Sequence, residues 1–222
     1  MPLRARAMTQ SQRLSGRTVF LSASIPDPTR WSGSYDAREI TDAVVAASRA
    51  VLTAGGTLVT AAHPTIAPLL LYVAAEFPRT EDQPVSVVTY QSSLFEDVLP
   101  EATRRFQASG IGEFRFVPAV QGEEPIPGRS SQSLLVMRQQ MFDETEPAAA
   151  IFVGGMDGIR DEFELLSGRD PQPFAYPVGA PGGEAARLSP TVDSELTSLL
   201  ASGEVYPSVF RAVIADLLAR LE

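Results

Sequence analysis

Two hydrophobic rhythms alternate along this chain. Thr18 to Ser22 (TVFLS) is an unbroken β-rich run between polar residues, the pattern of a strand buried on both faces. After a loop punctuated by Pro26, Pro28 and Gly33, the residues Ile40, Val44, Ala47 and Val51 recur at helical spacing until Gly55-Gly56 ends the pattern. Asp36 and Glu39 predict a capping box at the start of that helix, with the Asp36 carboxylate accepting from the first free amides. Thr57 to Thr60 predicts a second strand, and AAHPTIAPLLLYVAAEF a tight turn followed by a second helix. Val85 to Tyr90 reads as a third strand, and Ser93 with Glu96 as the capping box of a helix running to about Ala108. Phe114 to Val120 predicts the fourth strand, Leu134 to Glu144 a helix, Ala149 to Val153 the fifth strand and Phe174 to Val178 the sixth. Near the C-terminus Phe210, Val213, Ile214, Leu217, Leu218 and Leu221 form one stripe, a packing face that is either core or a dimer seam.

Strands that alternate with helices imply parallel pairing and right-handed crossovers. The expected fold is α/β: a Rossmann-like parallel sheet of about six strands with helices on both faces. Residues 17–222 are expected to form one domain behind a solvated, disordered arm of residues 1–16. The polar stretch QGEEPIPGRSSQ is expected to be a lid or binding loop, or else a surface excursion.

Composition narrows the chemistry. A chain of 222 residues, 44% hydrophobic, buries roughly 70% of its unfolded surface without a disulfide or a structural metal. It has no cysteine and a single histidine, His63, which excludes a Cys nucleophile, a thiolate metal site and a multi-His centre. Its net charge of -9, with every basic residue an arginine, argues against nucleic acid as the main partner. No run approaches the ~20 apolar residues of a membrane span, and Arg4, Arg6 and Arg13 lie in a stretch without the apolar core of a secretory signal. The expected location is therefore the cytoplasm, with no metal site.

Ligands of such sheets bind beyond the carboxyl ends of the strands, so the residues that follow each strand are the candidates. Ser22, Ala23 and Ser24 follow the first; they let a ligand approach the backbone, or simply form a turn. His63 and Thr65 follow the second, with Thr65 placed to cap the next helix and His63 to bond a phosphate or a base, or to be structural. Gly154, Gly155, Met156, Asp157 and Gly158 follow the fifth, and a glycine-rich turn from a buried strand into a helix is suited to a phosphate. The turn is neither a dinucleotide fingerprint nor a P-loop. Asp157, Asp161 and Glu162 crowd that helix start, where they favour the dipole, and one of them is placed to grip ribose hydroxyls. Gly179, Gly182 and Gly183 follow the sixth strand in a second small-residue turn, before an expected helix. Arg138, on the helix before the fifth strand, is placed to neutralise a phosphate, or else is a surface arginine. Trp31 lies in the loop after the first strand and either stacks on a base or covers the core.

The stretch MRQQMFDETEPAAAIFVGGMDGIRDEFELL, Met137 to Leu166, resembles the signature of the SLOG superfamily. That superfamily includes the Lonely guy phosphoribohydrolases, the DprA/Smf proteins and the nucleotide-sensing domains of TRPM channels. Arg138 and Glu162 stand where the Lonely guy pattern has its helix arginine and its final glutamate. Val153 and Ile159 replace that motif's proline and threonine, Gln139 stands where the enzymes have a lysine, and the turn is one residue longer. FLSASIPDPTRW, AAHPTIAPLLLYVA and YPVGAPGG are similar to a branch found alone or fused to TIR-type domains in bacterial conflict systems.

The resemblance implies a sensor that binds a nucleotide-derived ligand: ADP-ribose, cyclic ADP-ribose or another NAD-derived molecule. It also implies a homodimer or higher homo-oligomer, with a TIR-type effector as a further partner. The competing expectation is a Lonely guy-type nucleotide N-glycosidase with Glu162 and Arg138 catalytic. A third is a structural partner subunit with a vestigial pocket.

Overall fold

The computed structural model describes residues 14–61, 63–77, 86–126, 131–203 and 205–222. In chain order the elements are β1 (Thr18–Ser24), α1 (Ala37–Thr53), β2 (Thr57–Ala61), α2 (Ala67–Ala74), β3 (Val87–Ser92), α3 (Glu101–Ala108) and β4 (Glu113–Val117). They continue with α4 (Gln132–Thr145), β5 (Ala149–Gly154), α5 (Asp157–Ser167), β6 (Phe174–Val178), α6 (Ser194–Ser202) and α7 (Tyr206–Leu221). Two 3-10 turns, Ser93–Val98 and Glu184–Arg187, follow β3 and β6. The six strands form one sheet in the order β4-β3-β2-β1-β5-β6, and every pairing is parallel. The Rossmann-like α/β architecture is therefore the one the hydrophobic pattern predicts.

Side-chain alternation along the central strands builds a core on each face of the sheet. Val19 and Leu21 of β1, with Ala149, Ile151 and Val153 of β5, join the core under α1, α2 and α7. Phe20 and Phe152, between them, join the core under α4 and α5, where Phe20 meets Phe142 edge-to-face at 4.9 Å. Both faces are covered, which is why these strands read as continuous apolar runs rather than alternating ones. In the C-terminal stripe Phe210, Val213, Ile214 and Leu217 are buried and Leu218 and Leu221 half-buried, all in the first core. Of the two expectations for that stripe, core is the one realised within the chain.

Local signals explain most boundaries. Asp36 caps α1, accepting from Arg38 N at 2.8 Å and Glu39 N at 3.0 Å. The reciprocal half of the capping box is absent: Asp36 N donates to Pro181 O, and Glu39 takes the Tyr206 hydroxyl at 3.1 Å, tying α1 to α7. Asp36→Ala is expected to lower stability by about 1 kcal/mol, read as a shift in the urea midpoint.

Four expectations are corrected. The helix from Ser93 to Ala108 is two pieces, because Pro100 holds Leu99 extended (ψ 134°); the cap of the first piece is Ser92. Thr65 does not cap α2, whose N-cap is Ile66 without a side-chain bond. The segment after Gly183 is one 3-10 turn rather than a helix. The fourth strand ends at Val117, three residues early.

The third strand runs Val87–Ser92, and Val85, expected within it, lies outside the described residues. So do residues 1–13 of the expected arm, but Leu14 near its end is fully buried and donates its N–H to Ala54 O at 2.9 Å. Of QGEEPIPGRSSQ, residues 127–130 lie outside the described residues. Its Glu123 carboxylate accepts from Gln132 N and Ser133 N, each at 2.8 Å, at the start of α4. Among the described residues no helix is long and apolar enough to cross a membrane.

Candidate functional site

The chain leaves β1 outward through β2, β3 and β4, then returns to place β5 and β6 on the other side of β1. The strand order thus reverses between β1 and β5, whose carboxyl ends are in register at Ser24 and Gly154. Such a switch point opens a crevice because the two connections diverge.

Four strand ends are stitched together there by backbone and hydroxyl bonds. Ile25 N donates to Thr65 Oγ1 at 3.2 Å, joining the β1 and β2 ends. Gly155 N donates to Ser24 O at 2.7 Å, and Glu184 N to Gly155 O at 2.9 Å. Gly183 N donates to Ser34 O at 3.0 Å, and Gly182 pairs with Tyr35 in an isolated antiparallel bridge. The β1–α1 loop, which carries Trp31, is thereby fastened across the glycine turn after β6.

These bonds assign the glycines a packing task beyond the one expected. The amides of Gly155 and Gly183 are spent on the neighbouring turns, and Gly182 N donates to Gly179 O. Gly179 faces α6 instead, giving its own N–H to Leu200 O. Asp36, Ser131 and Asp193 cap α1, α4 and α6 with side chains, whereas α2, α3, α5 and α7 have no side-chain cap; of these four, α5 is the one that follows a strand of the switch point. Asp157 is exposed on the first turn of α5 and Gly158 half-buried.

Beside this turn lies a buried charged cluster. Glu162 (6% exposed) accepts the Ser22 hydroxyl on Oε2 and Arg138 Nε on Oε1 at 3.1 Å. Arg138 (7% exposed) also gives Nη1 to Asp161 Oδ2 at 3.1 Å and points Nη2 at Gly158 O, 3.4 Å away. The pattern of α5 dictates this: Ile159 and Leu166 face the sheet, which turns Glu162 into the same buried side and Asp161 toward α4. Arg138 is therefore not a surface arginine, and its guanidinium spans two carboxylates. A buried pair of this kind is costly to desolvate and costly to break, so it fixes the Glu162 carboxylate in one orientation.

Gly158 has an ordinary helical conformation, and a Cβ there would meet only the tip of Arg138, Nη2, at 3.0 Å. Gly158→Ala is expected to leave the melting temperature within about 2 °C of wild type. It displaces the Arg138 tip, so any functional loss in this variant reports on the cluster and not on folding.

His63 and Thr65 sit together at the β2 end, His63 Nδ1 2.9 Å from Thr65 Oγ1. Burial, helped by the Arg30 charge, lowers the His63 pKa from 6.5 to about 4. The imidazole is thus neutral at pH 7, a hydrogen-bonding group and not a phosphate-neutralising cation. In the unfolded chain it takes a proton near 6.5. The unfolded state therefore binds more protons between about pH 6.5 and 4, and stability falls as pH drops through that window. The urea midpoint is expected to fall more from pH 7 to pH 5 in wild type than in His63→Gln.

Trp31 is half-buried, with the Arg187 guanidinium 4.5 Å above its ring and its Nε1 buried without a hydrogen-bond partner among the described residues. Three charged residues here escaped the sequence reading: Arg160, Glu184 and Arg187. Nothing in the spacing of Glu184 betrays that it is fully buried behind a glycine turn. Among the described residues no cluster of three or more His, Asp or Glu is arranged to hold a metal ion.

No curated protein matches the chain. A family match covers residues 30–214, from the β1–α1 loop into α7. It takes in Trp31, His63, Thr65, Arg138, both glycine turns and Glu162, and leaves out all of β1 with Ser22, Ala23 and Ser24. The match spans well over half of the chain, which belongs to the SLOG cluster3 family.

Proposed function

We propose that this chain binds a nucleotide-derived ligand, of the ADP-ribose, cyclic ADP-ribose or NAD-derived class, as a sensor in bacterial signalling or antiviral defence. Family membership points to nucleotide-related ligand binding or processing. The observation that carries the reading further is the Ser22–Glu162–Arg138 cluster beside an α5 start that lacks a side-chain cap, at the switch point of the sheet. An uncapped helix start attracts phosphate through its amides and dipole. A fixed carboxylate one turn away accepts from ribose hydroxyls. In this reading the amides of Asp157 and Gly158 take the phosphate. Glu162, held by Arg138, takes the ribose. Ser22, Ala23 and Ser24 form the floor, and His63, Thr65 and Trp31 flank the base.

The second reading, an N-glycosidase, draws on the same cluster. A carboxylate held by Arg138 and Ser22 is oriented to stabilise an oxocarbenium-like ribose or to activate water. One assay separates the two. The protein is incubated with AMP, NAD, ADP-ribose and cyclic ADP-ribose, passed through a filter, and both fractions are chromatographed. The sensor reading predicts intact ligand retained with the protein. Free base and ribose phosphate in the filtrate establish turnover and overturn the sensor reading for that ligand.

A further inference from the structure

The two flanks of α5 carry opposite surplus charge. On the α4 side one guanidinium, Arg138, is shared by two carboxylates, Glu162 and Asp161. On the β6 side one carboxylate, Glu184, is shared by two guanidiniums. Arg160 approaches Glu184 Oε1 with Nε, at 2.6 Å, and with Nη2. Arg187 Nη1 lies 3.3 Å from Oε2. Both Arg160 contacts fall on Oε1 and the Arg187 contact on Oε2, so two guanidiniums share one carboxylate and the cluster keeps one net positive charge. Asp157 and Glu164 also act on Arg160.

Exposure distinguishes the flanks as well. The Arg138 side chain is 9% exposed and those of Arg160 and Arg187 are 49% and 55%. A ligand arriving from solvent meets the second pair without breaking a buried one. Arg187 also stands against the Trp31 ring, whose Nε1 is buried and has no hydrogen-bond partner among the described residues. The backbone of Glu184 is bonded to Gly155, so this flank adjoins the turn that leads into α5.

We propose that Arg187, with Arg160, forms a second anion subsite that takes the distal phosphate of a diphosphate-bearing nucleotide whose ribose faces Glu162 across the α5 start. The proposal rests on the nucleotide-binding reading above and adds to it a preference for two phosphates over one, with a direction for the ligand.

The test is titration of the full chain with AMP, ADP and ADP-ribose, in wild type, Arg187→Gln and Arg187→Lys. Arg187→Gln leaves Arg160 on Glu184 Oε1 and keeps an amide able to donate to Oε2, so the fold is expected to hold, checked by the thermal melt. Wild type is expected to bind ADP and ADP-ribose about tenfold or more tighter than AMP, the worth of one charge-assisted bond. Arg187→Gln is expected to erase that margin while leaving AMP affinity unchanged, and Arg187→Lys to restore part of it. AMP binding without a diphosphate margin in wild type, or equal losses for all three ligands in Arg187→Gln, overturns the subsite and leaves the parent reading standing. Binding of none of the three by wild type overturns the subsite, and the parent reading falls with it when NAD and cyclic ADP-ribose also fail to bind.

Discussion

Gly183→Ala will destabilise the protein by about 3 kcal/mol or more, read from the urea midpoint, and Gly155→Ala by clearly less. Both glycines have positive φ, +75° and +71°, and Gly183, with ψ -166°, lies in a region that is essentially restricted to glycine. They differ also in what the new methyl meets. At Gly183 it lies 2.4 Å from Gly154 C and 2.6 Å from Gly154 O, which are backbone atoms with no rotamer to escape into. Gly154 is itself closely packed, since a Cβ added to it would lie 2.7 Å from Ser24 O. At Gly155 the obstruction is the outer end of Ile159, which repacks. The larger loss at Gly183 combines this backbone strain with the contact between the two glycine turns, the contact that holds the α5 start at the switch point. Equal, small losses at both positions would mean that the turns are not packed on each other.

Glu162→Gln will leave the chain folded and weaken ADP-ribose binding by tenfold to about a hundredfold, with the bound ligand recovered intact. The amide keeps the shape and a bond to Ser22. It removes the charge that Arg138 Nε faces and the better acceptor for ribose hydroxyls. Hydrogen bonds to charged groups contribute about 1.5–3 kcal/mol, which sets that range. Arg138 retains Asp161 as a partner, so the buried guanidinium is not stranded. An N-glycosidase gives the opposite signature in the same variant: base release disappears while affinity stays near wild type.

The sheet was legible because each strand is a short apolar run and the helices between them carry their own punctuation. Val19 to Leu21 and Ala149 to Val153 feed both cores, so neither alternates in hydrophobicity, and both read as central strands. Asp36 signalled the start of α1 because a cap is a local interaction between a side chain and the next few amides.

The misreadings have a common source in contacts that sequence spacing does not encode. Thr65 has the residue type of a cap, but its hydroxyl is taken by Ile25 N, which is 40 positions away in the chain. Arg138 was legible as a charge beside the glycine turn, but not as the partner of two carboxylates more than 20 residues on. The glycines signalled close approach, and the approach is largely of one turn to another. Glu184 looked like any helix-starting glutamate, and its burial depends on arginines contributed by α5 and by its own turn. Pro100 was visible and its effect on Leu99 is local, so the break in the expected Ser93–Ala108 helix was within reach of the sequence.

The central claim is that a nucleotide ligand occupies the crevice between β1 and β5 at the start of α5. Its most direct test is titration of the isotope-labelled full chain with ADP-ribose, followed through backbone amide resonances. The account predicts the largest shifts at Asp157 and Gly158, with smaller ones at Ser22, Ser24, His63 and Glu184. Shifts confined to a distant surface such as the groove between α1 and α7, or no shifts at saturating ligand, would contradict it.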